Sequence, residues 1–173
     1  MPVSRDILRT WRRPGRVFGD LFAMGPREDR SLMILMVGCL LFFLSQLPIL
    51  QRRIVMEQPP IGVAEIDGFG PAASYVFFGA MMILPLLFYM LAGLLTLIAN
   101  AAGAGISAAR GRLALFWAWL AASPAVLLYG ILAGFNGPEE PGTRVVGALW
   151  LAAFAAFTFL GLRRAVSVAR EGA

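Results

Sequence analysis

Four uncharged apolar stretches divide the chain: Leu32 to Leu50, Tyr75 to Ala99, Leu113 to Phe135 and Val145 to Leu162. They hold 19, 25, 23 and 18 residues, and at a rise of about 1.5 Å per residue each reaches across a hydrocarbon core of about 30 Å, or nearly so. None contains Asp, Glu, Lys or Arg. In lipid only helices and closed barrels satisfy every backbone group, and these continuous runs lack the period-two alternation of a barrel strand. The pattern therefore predicts an all-α, polytopic membrane protein, with four transmembrane helices at 32–50, 75–99, 113–135 and 145–162 inside a membrane domain of 32–162.

The segment before the first stretch, residues 1–31, has a different rhythm. Ile7, Leu8 and Trp11 fall at helical spacing with Asp6 and Arg9 off that face, Pro14 interrupts, and Val17, Phe18, Leu21 and Phe22 resume the pattern. Two short amphipathic helices are expected to lie in the membrane interface. Arg9, Trp11, Arg12, Arg13 and Arg16 are the candidate lipid-headgroup anchors, each arginine contributing about 1 kcal/mol near anionic lipid. The segment serves either as a plain anchor for the first span or as a docking platform for a soluble partner. A cleavable leader would need an apolar core after a basic start, and the first 31 residues alternate charge with apolar side chains instead, so the mature chain is expected to begin near Met1.

Composition sharpens this picture. Only 14% of residues are charged, against about 25% in soluble domains, so the apolar surface exceeds what a water-soluble fold of this length hides. All 15 basic residues are arginine. Seven lie before the first stretch, Arg110 and Arg112 lie in the second loop, and Arg163, Arg164 and Arg170 lie in the tail of 163–173; Arg52, Arg53 and Arg144 fall on the other side. By the positive-inside rule the twelve-arginine side is cytoplasmic, with both termini inside. The arginines flank apolar blocks without interleaved polar and aromatic residues, which favours anionic headgroups as partner and argues against nucleic acid.

Catalytic and metal chemistry find little support. Histidine is absent, which removes the commonest metal ligand and neutral-pH base. The single cysteine, Cys39, sits in the first apolar stretch as a small hydrophobe. No cofactor motif is present: the cluster Ala101, Ala102, Gly103, Ala104, Gly105 lacks the strand, lysine and hydroxyl residue of a phosphate loop and reads as a flexible helix exit. Ser45, Gln46, Thr96, Ser123, Tyr129 and Thr158 are the polar groups inside the stretches, expected to form interhelical hydrogen bonds of about 0.6 kcal/mol each. Pro85, and Pro124 preceded by Ser123, are expected to kink their helices, and paired breaks of this kind can mark a transport site. Gly130 and Gly134 form a GxxxG pair that permits close packing, within the bundle or between subunits, so a homo-oligomer or a membrane-protein partner stays open.

The loops between the stretches on the arginine-poor side carry Glu57, Glu65, Asp67, Glu139 and Glu140 with several prolines, a connector composition. The first, Gln51 to Ser74, is long enough for a short surface helix, with Ile54, Val55 and Met56 at headgroup level.

Several of these marks occur together in one family. Arg12-Arg13-Pro14 leading to Met24-Gly25-Pro26, the Pro85-Leu86-Leu87-Phe88-Tyr89 kink, the glycine loop, and Arg112-Leu113-Ala114-Leu115-Phe116-Trp117 running to Ser123-Pro124 resemble bacterial members of the Yip (Ypt-interacting protein) family over nearly the whole chain. The resemblance implies a small polytopic protein of the bacterial inner membrane with a cytoplasmic N-terminal region, whose eukaryotic relatives act in vesicle trafficking and bind Rab-type GTPases. Two departures stand out: four spans are counted where eukaryotic members have five, and only Gly25-Pro26 is left of their Asp-Leu-Tyr-Gly-Pro motif. GTPase binding is therefore carried over to no residue. The function expected is a non-enzymatic membrane scaffold or interaction protein. A small channel or transporter, and an auxiliary subunit of a larger membrane complex, are the alternatives.

Overall fold

The computed structural model describes residues 3–25, 27–56, 58 and 68–171. Among them every regular element is helical. Helix α1 (Val3–Arg12) and α2 (Pro14–Ala23) form a hairpin that turns at Arg13, whose φ of −146° and ψ of 66° lie outside the helical region. The cause is local: a residue before proline is driven out of the α region, and Pro14 is itself well placed to start a helix. Gly25, at φ 77°, ends α2, and the Arg30 Nη2 donates to the carbonyls of Leu21 (3.3 Å) and Gly25 (2.6 Å), satisfying acceptors that the helix end leaves open.

The long helices overrun the apolar blocks. Helix α3 is Glu28–Val55, opening on Glu28 and Asp29 and closing on Arg52 and Arg53, charges that suit the two ends of the helix dipole. Helices α4 (Phe69–Phe78) and α5 (Leu84–Ala101) join through a π-turn, Gly79–Ile83, into one rod. Pro85 explains the widened turn: its ring would press on the carbonyl four residues back, and the π geometry makes room. Helix α5 runs two residues past Ala99, and the glycine loop after it is tied at its base, because Asn100 Oδ1 accepts from the Ile106 N–H (2.7 Å) and Asn100 Nδ2 donates to the Ile106 carbonyl (2.9 Å). The flexible exit expected there is thus a pinned turn. Helix α6 (Ala108–Ala121) and α7 (Ser123–Phe135) replace the single third span, meeting at a 40° bend just before Pro124. Helix α8 is Pro141–Glu171.

Helix α3, the α4–α5 rod and α8 are each long and apolar enough to cross a membrane, and the bent α6–α7 pair makes a fourth if taken as one span. Their surfaces agree: Met33, Val37, Leu40 and Leu44 on α3 and Leu86, Met90, Leu94 and Leu97 on α5 face outward, a continuous apolar exposure that water does not tolerate. Three to four such helices are compatible with a multi-pass membrane protein. The surface helix expected between Gln51 and Ser74 falls mainly on residues outside those described, and Ile54 and Val55 belong to the last turn of α3.

Helix α6 is the axle. Leu113 through Ala122 are all buried, so α6 shows no apolar stripe; α1, α3, α5 and α8 pack around it. The tightest contact is between α3 and α7. A Cβ at Gly130 would collide with the Ser45 carbonyl, and one at Gly134 would stand 2.5 Å from the Pro48 Cβ. The GxxxG pair is thus used inside the chain, against α3.

Candidate functional site

The arginines gather by contact as well as by sequence. At one end of the bundle Arg112 pairs with Glu28, joining α6 to the first turn of α3, and Arg164 on α8 lies against Gly19 of α2. At the other end Arg52 Nη1 donates to the Phe135 carbonyl (2.8 Å), closing the end of α7, and Arg144 pairs with Glu139.

The hairpin is held to the arginine-rich end by fitted side chains. Phe18 is 0% exposed and sits in the notch left by Gly161, where a Cβ would be 2.8 Å from its ring. Val17, Leu21 and Phe22 are buried with it, so the apolar face of α2 is covered by protein instead of being laid into the headgroup layer. On α1, Ile7 packs on the core, Trp11, still 37% exposed, donates from Nε1 to the Ala121 carbonyl (2.9 Å) with its ring edge-on to Phe157 at 5.3 Å, and Leu8 points outward. Buried Thr10 completes the attachment: it accepts from Trp117 Nε1 (3.1 Å) and donates to the Asp6 carbonyl (2.7 Å).

The outer surface of the α1–α2 hairpin carries Arg5, Arg9, Arg12, Arg13, Arg16 and Asp20 beside the exposed Leu8. A cleft of about 650 Å³ opens between the hairpin and α8, lined by Arg9, Gly15, Arg16, Gly19, Asp20 and Arg164. A second concavity of about 290 Å³ is lined by Arg9, Arg12, Arg13 and Arg16. Arg9 pairs with Asp6 (3.1 Å) and Asp20 (3.4 Å), and Arg164 Nη1 donates to Ser167 (3.0 Å) and Glu171 (3.4 Å). Arg12, Arg13 and Arg16 pair with no carboxylate among the described residues. Four of the five expected headgroup anchors, the arginines, thus line one surface, and Trp11 turns into the bundle behind them. Arg164 is the member that sequence reasoning missed; its separation from the hairpin leaves no local signal.

The interior of the bundle offers a different chemistry. Ser45 Oγ donates to the Phe42 carbonyl (2.6 Å) and accepts from Gln46 Nε2 (3.1 Å), and Thr96 Oγ1 donates to the Ala92 carbonyl (2.7 Å), all within their own helices. The interhelical bonds expected of Ser45, Gln46 and Thr96 are absent among the described residues, because a hydroxyl at these positions reaches the carbonyl one turn back more readily than a neighbour. Ser123 is buried at the α6–α7 bend and Pro124 is exposed beside it. Between these levels Phe42, Phe88, Trp119, Trp150 and Phe154 form one aromatic cluster, with centroids from 4.6 Å (Phe88 to Trp119) to 6.4 Å (Phe42 to Trp150), filling the centre. No group of three His, Cys, Asp or Glu side chains is placed to hold a metal ion among the described residues. Compared with known proteins, the chain matches no family model, no curated protein and no solved structure.

Proposed function

We propose that this chain is a four-span protein of the bacterial inner membrane with both ends in the cytoplasm, working as a non-enzymatic scaffold or interaction protein of the Yip type. The observation that carries the reading is the division of labour between interior and end. The centre is filled by packed aromatic rings, whereas arginines of the hairpin and of α8 line a recess at one end of the bundle. A protein that moves a solute needs a polar route through its bundle. A protein that recruits others needs a fixed surface at the membrane face, and a hairpin locked by Phe18 and Trp11 supplies one. The arginine-rich end, placed inside by the positive-inside rule, then faces cytoplasmic partners and anionic lipid together.

Two measurements test this. Affinity purification of the full chain in mild detergent should bring down a defined protein partner, in amounts that fall when Arg12 and Arg13 are replaced by Gln. A chain that emerges alone and conducts small solutes in liposomes would refute the scaffold reading. Reporter fusions after Gly105 and after Arg170 should both read the cytoplasmic side, and opposite readings would refute the topology.

A further inference from the structure

The cleft between the hairpin and α8 has an electrostatic composition that the scaffold role does not require. Its walls bring guanidinium groups from two elements far apart in sequence, Arg9 and Arg16 from the hairpin and Arg164 from α8, around about 650 Å³ in which Asp20 is the one lining carboxylate. The smaller concavity shares Arg9 and Arg16 and adds Arg12 and Arg13, so five arginines line the pair of recesses. Asp6 and Asp20 offset Arg9 and Glu171 offsets Arg164, which leaves Arg12, Arg13 and Arg16 as the like charges that an added anion would relieve.

The recess is also shaped for an oxyanion. Gly15 and Gly19 line it without side chains, which leaves the backbone approachable; a Cβ added at Gly15 would meet nothing within 4 Å. The Nε and Nη2 edge of Arg164 is the part turned toward Gly19, 3.4 and 3.6 Å from the place a Cβ would occupy, while Nη1 is held by Ser167 and Glu171. Packed on Gly19 and held by Ser167 and Glu171, this guanidinium contributes its charge to the recess wall from a fixed position.

The geometry points to a binding site for a phosphate ester of net negative charge, lined by Arg16, Arg164 and Arg9 and extended over Arg12 and Arg13. The recess exceeds the volume of one phosphate and admits the esterified group as well. Two sources carry this chemistry, the headgroup of an anionic phospholipid and a soluble phosphate ester. The site deepens the scaffold reading, since it rests on the arginine-rich end facing the inner membrane surface, but it stands or falls on its own measurement.

The test is native mass spectrometry of the full chain in mild detergent, titrated with phosphatidylglycerol, with phosphatidylcholine and with glycerol 3-phosphate. The wild-type chain should retain phosphatidylglycerol about tenfold better than phosphatidylcholine, and Arg16→Gln and Arg164→Gln should each remove most of that preference. Arg163→Gln and Arg170→Gln, neighbouring arginines outside the recess, should leave it intact. Displacement of the lipid by glycerol 3-phosphate would assign the site to soluble esters, and lipid retained against it would assign it to headgroups. Arg16 is exposed on the hairpin, so its variant remains informative if Arg164→Gln does not fold. Equal losses in all four variants would reduce the recess to diffuse attraction and overturn the site, as would a chain that prefers neither anion over phosphatidylcholine. A chain that captures no protein yet keeps the arginine-dependent preference would overturn the scaffold reading alone.

Discussion

The α3–α7 contact and the docked α1–α2 hairpin are joined to the bundle in opposite ways. Between α3 and α7 main chain meets main chain, with Gly130 against the Ser45 carbonyl and Gly134 against Pro48. Nothing there can rotate aside. The hairpin instead hangs on side chains: Phe18 in the Gly161 notch, Trp11 on the Ala121 carbonyl, Thr10 under Trp117. Backbone contact fixes the distance between two helices, whereas side-chain contact fixes only whether an element is on or off. The first suits a frame and the second suits a part whose face must be presented to others.

Substitutions can separate the two modes. Gly130→Leu should have the largest effect, because the new side chain must displace backbone. The expected cost is above about 4 kcal/mol, read as loss of the monodisperse folded species in detergent. If that variant folds with an unchanged melting temperature, α3 and α7 are not packed through glycine. Phe18→Ala should cost about 3 kcal/mol, confined to the hairpin. Limited trypsinolysis would then cut at Arg9 to Arg16 while the bundle resists, and cleavage throughout the chain would mean that the hairpin is part of the frame. Trp11→Phe keeps the ring beside Phe157 and deletes the bond to Ala121, a loss of about 1 kcal/mol expected as faster amide exchange in α1 alone. Smallest should be Arg52→Gln, which removes the closing bond at Phe135 at a cost of about 0.5 kcal/mol. It should fray α7 at its last turn with no effect on the hairpin.

The legible part of the fold was what local chemistry dictates. The apolar blocks marked the long helices, Pro14 marked the hairpin turn, and Pro124 marked the break between α6 and α7, since each proline acts on its own neighbours. Partners across the fold left no such trace. Leu113 to Ala122 and Leu86 to Ile98 look equally apolar, yet the first run is enclosed on every side, whereas the second buries Phe88, Ala92 and Thr96 and turns Leu86, Leu87, Met90, Leu94, Leu97 and Ile98 outward. Lipid and protein interiors select the same side chains, so hydropathy does not distinguish them. For the same reason the expected lipid anchoring of the hairpin is partly replaced by burial of Val17, Phe18, Leu21 and Phe22 in the bundle. Pro48 was passed over in the first block, and its meaning comes only from Gly134 opposite. Of the candidate site, the arginines of the hairpin were visible as a run, while Arg164 was not, because only the docking of α2 on α8 brings it there.

The Gly161 notch also sets an order of events in biosynthesis. Phe18 is made early and its socket late, so on a ribosome adding about 5–20 residues per second the ring waits on the order of 10 s for its seat to emerge. During that interval the arginines of the hairpin have no Arg164 beside them. The recess comes into existence only once α8 has been delivered, which makes an occupied recess a report that α8 has docked on the hairpin.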